Sequence, residues 1–229
     1  MRELYRKHKA LKILTVFLIV IAVIVITTFL FLNLNPVFGG HATKEERSNY
    51  ANRSEIYVNG KFIYPSEWEL EGVSENKIVS GKEAAPQEEL PIAATDFDEN
   101  SQIDEVNVTW FGHSNMLIQM HGMNILIDPV FSERTSPISF IGPKRFSKLP
   151  LEIKDLPHID IVVISHDHYD HLDMNSIKEL DGKIDKFIVP LGVENHLERW
   201  GVSPDKITNM AWWEETDVDG LIIACTPAR

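Results

Sequence analysis

A single cysteine, Cys225, stands in a chain of 229 residues. No intramolecular disulfide can form, so the fold must be held by its core or by a metal. Basic side chains are scarce as well: 22 Lys and Arg face 34 Asp and Glu, a formal charge of −12. Such a chain is a poor general ligand for nucleic acid, which needs clustered cations, and no nucleic-acid partner is expected. Internal repeats are not visible. The 44% apolar and 24% charged fractions lie near the globular average, which excludes wholesale disorder and fibrous repeats.

Charge is missing altogether from residues 13–32, where Ile, Val, Leu and Phe dominate. As a helix these residues span roughly 30 Å, the thickness of a bilayer core. Residues 1–12 before them carry Arg2, Arg6, Lys7, Lys9 and Lys12 against Glu3. A basic flank of this kind stays cytoplasmic, so the chain reads as a single-pass membrane protein with its remainder extracytoplasmic. The competing reading is a cleaved signal peptide, whose apolar stretch is usually about 7–15 residues and ends at a small-residue site. The stretch here is longer, and Asn33 to Phe38 does not resemble such a site, so an uncleaved anchor in the lipid bilayer is expected.

Residues 33–104 form a connector of weak periodicity, strongly acidic from Pro65 onward. It reads either as a solvated, partly disordered segment or as one that wraps onto the following domain. Tyr50, Tyr57, Phe62, Tyr64 and Trp68 are the anchors such wrapping would use.

From residue 105 to 229 the texture changes. Val106, Val108 and Trp110 alternate as in a strand; Met116 to Ile118 and Ile125 to Ile127 suggest two more. Ile159 to Ile164 is almost wholly apolar, the pattern of a strand covered on both faces. Asp173 caps a helix through Ile177 and Leu180. Phe187 to Val189 reads as a strand, Val193 to Trp200 as a helix and Leu221 to Cys225 as a last strand. Strands that lead and then alternate with helices indicate a layered α/β domain.

The chemistry is concentrated in Ser165-His166-Asp167-His168-Tyr169-Asp170-His171, directly after the buried strand. Ligands placed there are aimed by a rigid scaffold yet open to a crevice. His166 and His168, two apart, project to one side and can share an ion; Asp170 and His171 can meet a second. Nitrogen and carboxylate donors without thiolate suit zinc, with iron or manganese possible. Asp170 doubles as the group that orients a metal-bound water or accepts its proton, and is the candidate catalytic residue. A chance occurrence of the same pattern is expected in about one such chain in 1,000, so a metal site is the stronger reading.

His166-x-His168-x-Asp170-His171 resembles the signature of the metallo-β-lactamase superfamily. Thr109-Trp110-Phe111-Gly112-His113-Ser114, Ile127-Asp128-Pro129, Arg134-Thr135-Ser136-Pro137, Gly142-Pro143-Lys144-Arg145, Pro190-Leu191-Gly192-Val193, Trp212-Trp213-Glu214 and Thr226-Pro227-Ala228-Arg229 together resemble its N-acyl-phosphatidylethanolamine-hydrolysing phospholipase D branch. The likeness covers residues 105–229 and, more loosely, Phe38-Gly39-Gly40. It implies an αββα sandwich, of which this chain holds roughly the first half, and a dinuclear site of two zinc ions. By position His166 and His168 hold the first ion and Asp170 and His171 the second, with Asp128 bracing the metal loop from behind. His113 either approaches the site or is a hydrogen-bonded buried residue. His121, His158 and His196 are expected at surface or loop positions, Trp212-Trp213 in core packing or a lid wall, and Cys225 in the core.

In that branch a further histidine follows the Thr-Pro-Ala segment, and this chain ends one residue earlier. Two functions follow. The first is a membrane-anchored metallo-hydrolase acting on a phosphodiester in a small-molecule or phospholipid-like substrate; a nuclease is disfavoured by charge, while lactonase and amidase activity stay open. The second is a truncated, non-catalytic membrane-tethered protein with an incomplete metal site.

Overall fold

The computed structural model describes residues 1–65, 85–88, 90–93, 97 and 106–227. Two compact units emerge, Met1–Phe38 and Gly39–Arg229. The first is one helix, α1 (Arg2–Leu34), whose segment Tyr5–Leu34 contains a window of mean hydropathy 3.1. By length and composition it could cross a membrane. Two of its polar side chains bond to the helix's own backbone: the Thr15 hydroxyl donates to the Leu11 carbonyl and the Asn33 amide to that of Phe29. Asn35 is extended ahead of Pro36, which ends the helix.

The second unit starts with α2 (Lys44–Arg53), capped by Thr43 and Glu46 in a reciprocal capping box. A short hairpin follows, β1 (Tyr57–Val58) and β2 (Lys61–Phe62). Its turn residues Asn59 and Gly60 both have positive φ, as a two-residue hairpin turn requires. These elements lie within residues 33–104 and are packed onto the domain: Tyr50 is buried in a cluster with Leu191 and Ala211, against which Tyr57 also packs. Trp68, the remaining expected anchor, lies outside the described residues.

A six-stranded sheet forms the centre, in the order β3-β4-β5-β6-β7-β8. The strands β3 (Asn107–Gly112), β4 (Asn115–Met120) and β5 (Met123–Ile127) form an antiparallel meander. Then β6 (Ile159–Val163), β7 (Ile184–Pro190) and β8 (Ile207–Met210) add in parallel, with Leu126 opposite Val162 and Val162 opposite Phe187. Two crossover helices, α3 (Met174–Leu180) and α4 (Glu194–Trp200), bury Ile177, Leu180, Leu197 and Trp200 against one face with Leu117, Leu126, Val162 and Phe187. The opposite face, carrying Ile125, Ile161, Ile188 and Met210, is covered by a second hairpin, β9 (Glu215–Val218) and β10 (Leu221–Ala224), through Val218, Leu221 and Ile223. The class is therefore mixed α/β with a central sheet, as the sequence indicates, preceded by one long apolar helix.

Particular elements differ from expectation. β8 and β9 are additional strands, both of mixed polarity. Trp213 is 71% exposed and not in the core, and Cys225 is only half-buried at the edge of the hairpin. Asp173 does cap α3, accepting from the Asn175 amide and also from the Ser132 amide.

Candidate metal centre

The parallel half of the sheet aims the carboxyl ends of β6 and β7 into one crevice, the usual place for a site in such sheets. At the end of β5, Asp128 has φ 42° and is almost wholly buried. Its amide donates to Val163 across the ladder, so the carboxylate meets the chain leaving β6. Oδ1 accepts from the Ser165 amide at 2.7 Å, and Oδ2 accepts from the Ser165 hydroxyl at 2.8 Å. The same Oδ2 lies 2.7 Å from His171 Nδ1.

After Ser165 the chain winds back on itself: the amides of His171 and Leu172 both donate to the His168 carbonyl. This turn lays His171 over His166, with ring centroids 3.9 Å apart, and His168 lies edge-on to His166 at 4.7 Å. The fourth imidazole arrives from another element. His113 occupies the two-residue turn between β3 and β4, with φ 50°, held by a bond from the Trp110 indole to its carbonyl. Its Nε2 stands 3.1 Å from Asp170 Oδ2 and 3.2 Å from His171 Nε2, while His171 Nε2 is 4.0 Å from Asp170 Oδ2.

Of the sequence-predicted residues, the structure thus gathers Asp170, His171 and His113 into one donor group, with His166 against His171 and His168 beside it. Asp128 lies behind the group rather than in it. His113 is largely exposed and reaches the group directly, which removes the alternative of a buried structural histidine.

The protonation pattern follows from the partners. The Asp128 carboxylate at Nδ1 draws the His171 proton to that side and leaves Nε2 as a lone pair facing Asp170 and His113. Two imidazole nitrogens facing at 3.2 Å need a proton or a cation between them. Burial, followed by the neighbouring His171 and His168 rings, holds His166 below its ordinary pKa, in the neutral form that ligates metal. The donors present, imidazole nitrogen and carboxylate oxygen with a buried carboxylate behind, therefore fit a borderline divalent ion. A second group, His158, Asp160 and Asp185, lies at the opposite, amino end of β6 and β7, with His158 and Asp185 exposed and Asp160 half-buried.

Sequence reasoning did not find His196. It is not a surface or loop residue but part of α4, with its side chain 19% exposed. Its Nδ1 accepts from the Gly40 amide at 3.0 Å, and its Nε2 stands 3.6 Å from Asp167 Oδ2. The neighbouring imidazole holds the Asp167 carboxyl below the usual carboxylate range. Only the loosely matching Phe38-Gly39-Gly40 signalled that this segment matters. Equally unforeseen is a cavity of about 720 Å³ against the metal loop, whose lining includes Ile56, Phe62, Leu191 and Trp212 alongside His166 and His168.

Comparison with known proteins places residues 123–229 in a match to a β-lactamase superfamily domain. An uncharacterized protein of Mycobacterium tuberculosis is 36% identical over 190 residues, 82% of this chain and 51% of its own length. N-acyl-phosphatidylethanolamine-hydrolyzing phospholipase D 1 of Caenorhabditis elegans is 36% identical over 148 residues, 60% of this chain and 40% of that protein. A metal-dependent hydrolase of Saccharolobus solfataricus is 29% identical over 121 residues, 52% of this chain and 48% of the archaeal one. The chain spans about half the length of the mycobacterial relative it matches.

Proposed function

The chain is assigned to the metallo-β-lactamase superfamily by its domain match and its relatives, and from that premise we propose that it is a metal-dependent hydrolase of lipid-like phosphodiesters, anchored in a membrane by α1. The observation that carries this reading is the convergence of His113 Nε2, Asp170 Oδ2 and His171 Nε2 within 4.0 Å, with Asp128 setting the tautomer of His171.

His166 and His168 would hold one zinc ion, and Asp170 and His171 another, with His113 as a further donor. Zinc in such a site polarises a phosphoryl oxygen and supplies a hydroxide near neutral pH. The chain's own residues do the rest. Asp170 Oδ2, exposed to the crevice, is placed to orient a water and accept its proton. Asp128 keeps His171 facing the crevice. The cavity beside His166 and His168, with Ile56, Phe62, Leu191 and Trp212 on its walls, suits the apolar portion of an amphiphile. The Caenorhabditis relative, named for hydrolysis of an N-acyl phospholipid, supports the same substrate class.

The test is a metal titration and a hydrolysis assay on detergent-solubilised chain. We expect zinc binding, and release of phosphatidic acid from a phosphodiester phospholipid that falls by 10²-fold or more in Asp170→Asn. Equal hydrolysis by the variant and the unmodified chain would overturn the role given to Asp170. Recovery of the chain in the soluble fraction of lysed cells would overturn the anchor.

A further inference from the structure

Asp167 lies between two residues read as ligands, yet its own side chain leaves the donor group. While the His166 and His168 rings come together, the Asp167 carboxylate meets α4. What it meets there is His196, and what holds His196 comes from a distant stretch of sequence.

The Gly40 amide is a fixed donor, and the atom it donates to is His196 Nδ1. That nitrogen must therefore carry the lone pair, so the ring proton sits on Nε2, the nitrogen directed at Asp167 3.6 Å away. The fit around the ring is close. A Cβ at Gly39, where φ is +73°, would fall 1.6 Å from His196 Nδ1, and one at Gly40 would fall 2.0 Å from the Asn195 carbonyl oxygen. On its other side the ring stacks over Trp200, with centroids 6.2 Å apart and planes 27° from parallel. Only glycine at 39 and 40 lets the chain pass near enough to fix the ring.

We propose that His196 is a positioning residue through which the Gly39-Gly40 segment, lying outside the matched superfamily domain, fixes Asp167 and with it the loop that presents His166 and His168 to metal. The proposal rests on the metal reading of that loop. Preorganisation is the physical gain: a loop already held at its midpoint loses less freedom when ligands close on an ion.

The experiment measures zinc affinity of the full chain by competition with a chromophoric chelator, and backbone hydrogen exchange of residues 165–171 without metal. His196→Ala is expected to weaken zinc about tenfold, as loss of a supporting contact does, and to speed exchange across the loop. Gly39→Ala should do the same without altering any side chain near the metal. Two conservative variants divide the tie: Gln can still reach Asp167 but is not held by Gly40, whereas Asn keeps an acceptor for Gly40 but stops short of the carboxylate. His196→Gln should recover only part of the lost affinity and His196→Asn should behave as Ala. Arg53→Met, which loosens α2 where it meets Glu214 and Asn209, controls for general destabilisation and should leave zinc affinity unchanged. Zinc affinity within twofold of the unmodified chain in His196→Ala overturns the proposal, as does rescue by Asn but not Gln. An unmodified chain that binds no zinc overturns the metal reading and this inference together.

Discussion

Asp128 shows how much one side chain decides at this site. Its left-handed backbone is one that Asp tolerates better than most residues, and it brings the carboxylate under the metal loop rather than into it. Both oxygens are engaged, by the Ser165 amide, the Ser165 hydroxyl and His171. In Asp128→Asn the negative charge that keeps the proton on His171 Nδ1 is lost, so Nε2 no longer faces the crevice as a dependable lone pair. Zinc affinity is expected to fall about 10–100-fold, read by chelator competition, with His171 still present in the sequence. Unchanged affinity would show that the tautomer is set elsewhere. At this scale the sequence was half legible. The candidate ligands His166, His168, Asp170 and His171 lie within six residues of each other, so spacing alone singles them out. His113 is separated from Asp170 by 57 residues and His196 from Gly40 by 156, and no local pattern announces a contact of that kind.

Among the elements, α2 is bound to the domain by polar contacts that its low apolar content would not suggest. The Tyr50 hydroxyl donates to Glu194 and accepts from the Asn195 amide, and burial, helped by Glu194, pushes the phenol well above its ordinary pKa. Glu194 also accepts from the Gly192 amide and from Asn209. Tyr50→Phe removes one donor from this buried carboxylate while leaving two, so a loss of about 1–3 kcal/mol is expected in urea unfolding. The Arg53 guanidinium joins the same element to Glu214 and Asn209. Its bond holds the Glu214 carboxyl below the ordinary value. A depressed folded pKa stabilises fully above the unfolded value of about 4.3 and is lost as pH falls through the lower folded value. Thermal stability should therefore drop more steeply below about pH 4.3 in the unmodified chain than in Arg53→Met; identical acid limbs would remove this pair from the account. The legible elements were those with a single-valued pattern: Ile159 to Val163 is nearly all apolar because both faces are covered. β8 and β9 were not, since Thr208, Asn209, Glu215 and Asp217 give short strands no clean alternation.

The whole molecule is two units of opposite character, one long apolar helix and one α/β body that begins at Gly39. That boundary differs from the one composition suggests, because residues 39–65 belong to the body through buried contacts rather than through hydrophobic pattern. Gly40 engages His196, Tyr50 engages Glu194 and Asn195, and Arg53 engages Glu214 and Asn209. Two truncations separate the roles. A protein starting at Gly39 keeps every one of these contacts and should fold, stay soluble without detergent and bind zinc as the full chain does. One starting at residue 66 uncovers Leu191 and Ala211 and loses the bonds just named. At about 1 kcal/mol for each of three or more bonds, and about 2–4 °C per kcal/mol for a body of this size, its melting temperature should fall by about 6–12 °C. Its zinc affinity should fall as in His196→Ala, because Asp167 then has no fixed neighbour. Equal melting temperatures for the two would mean that the N-terminal segment only rests on the domain; a lower one with unchanged zinc affinity would make it a stabilising strap with no hold on the metal loop.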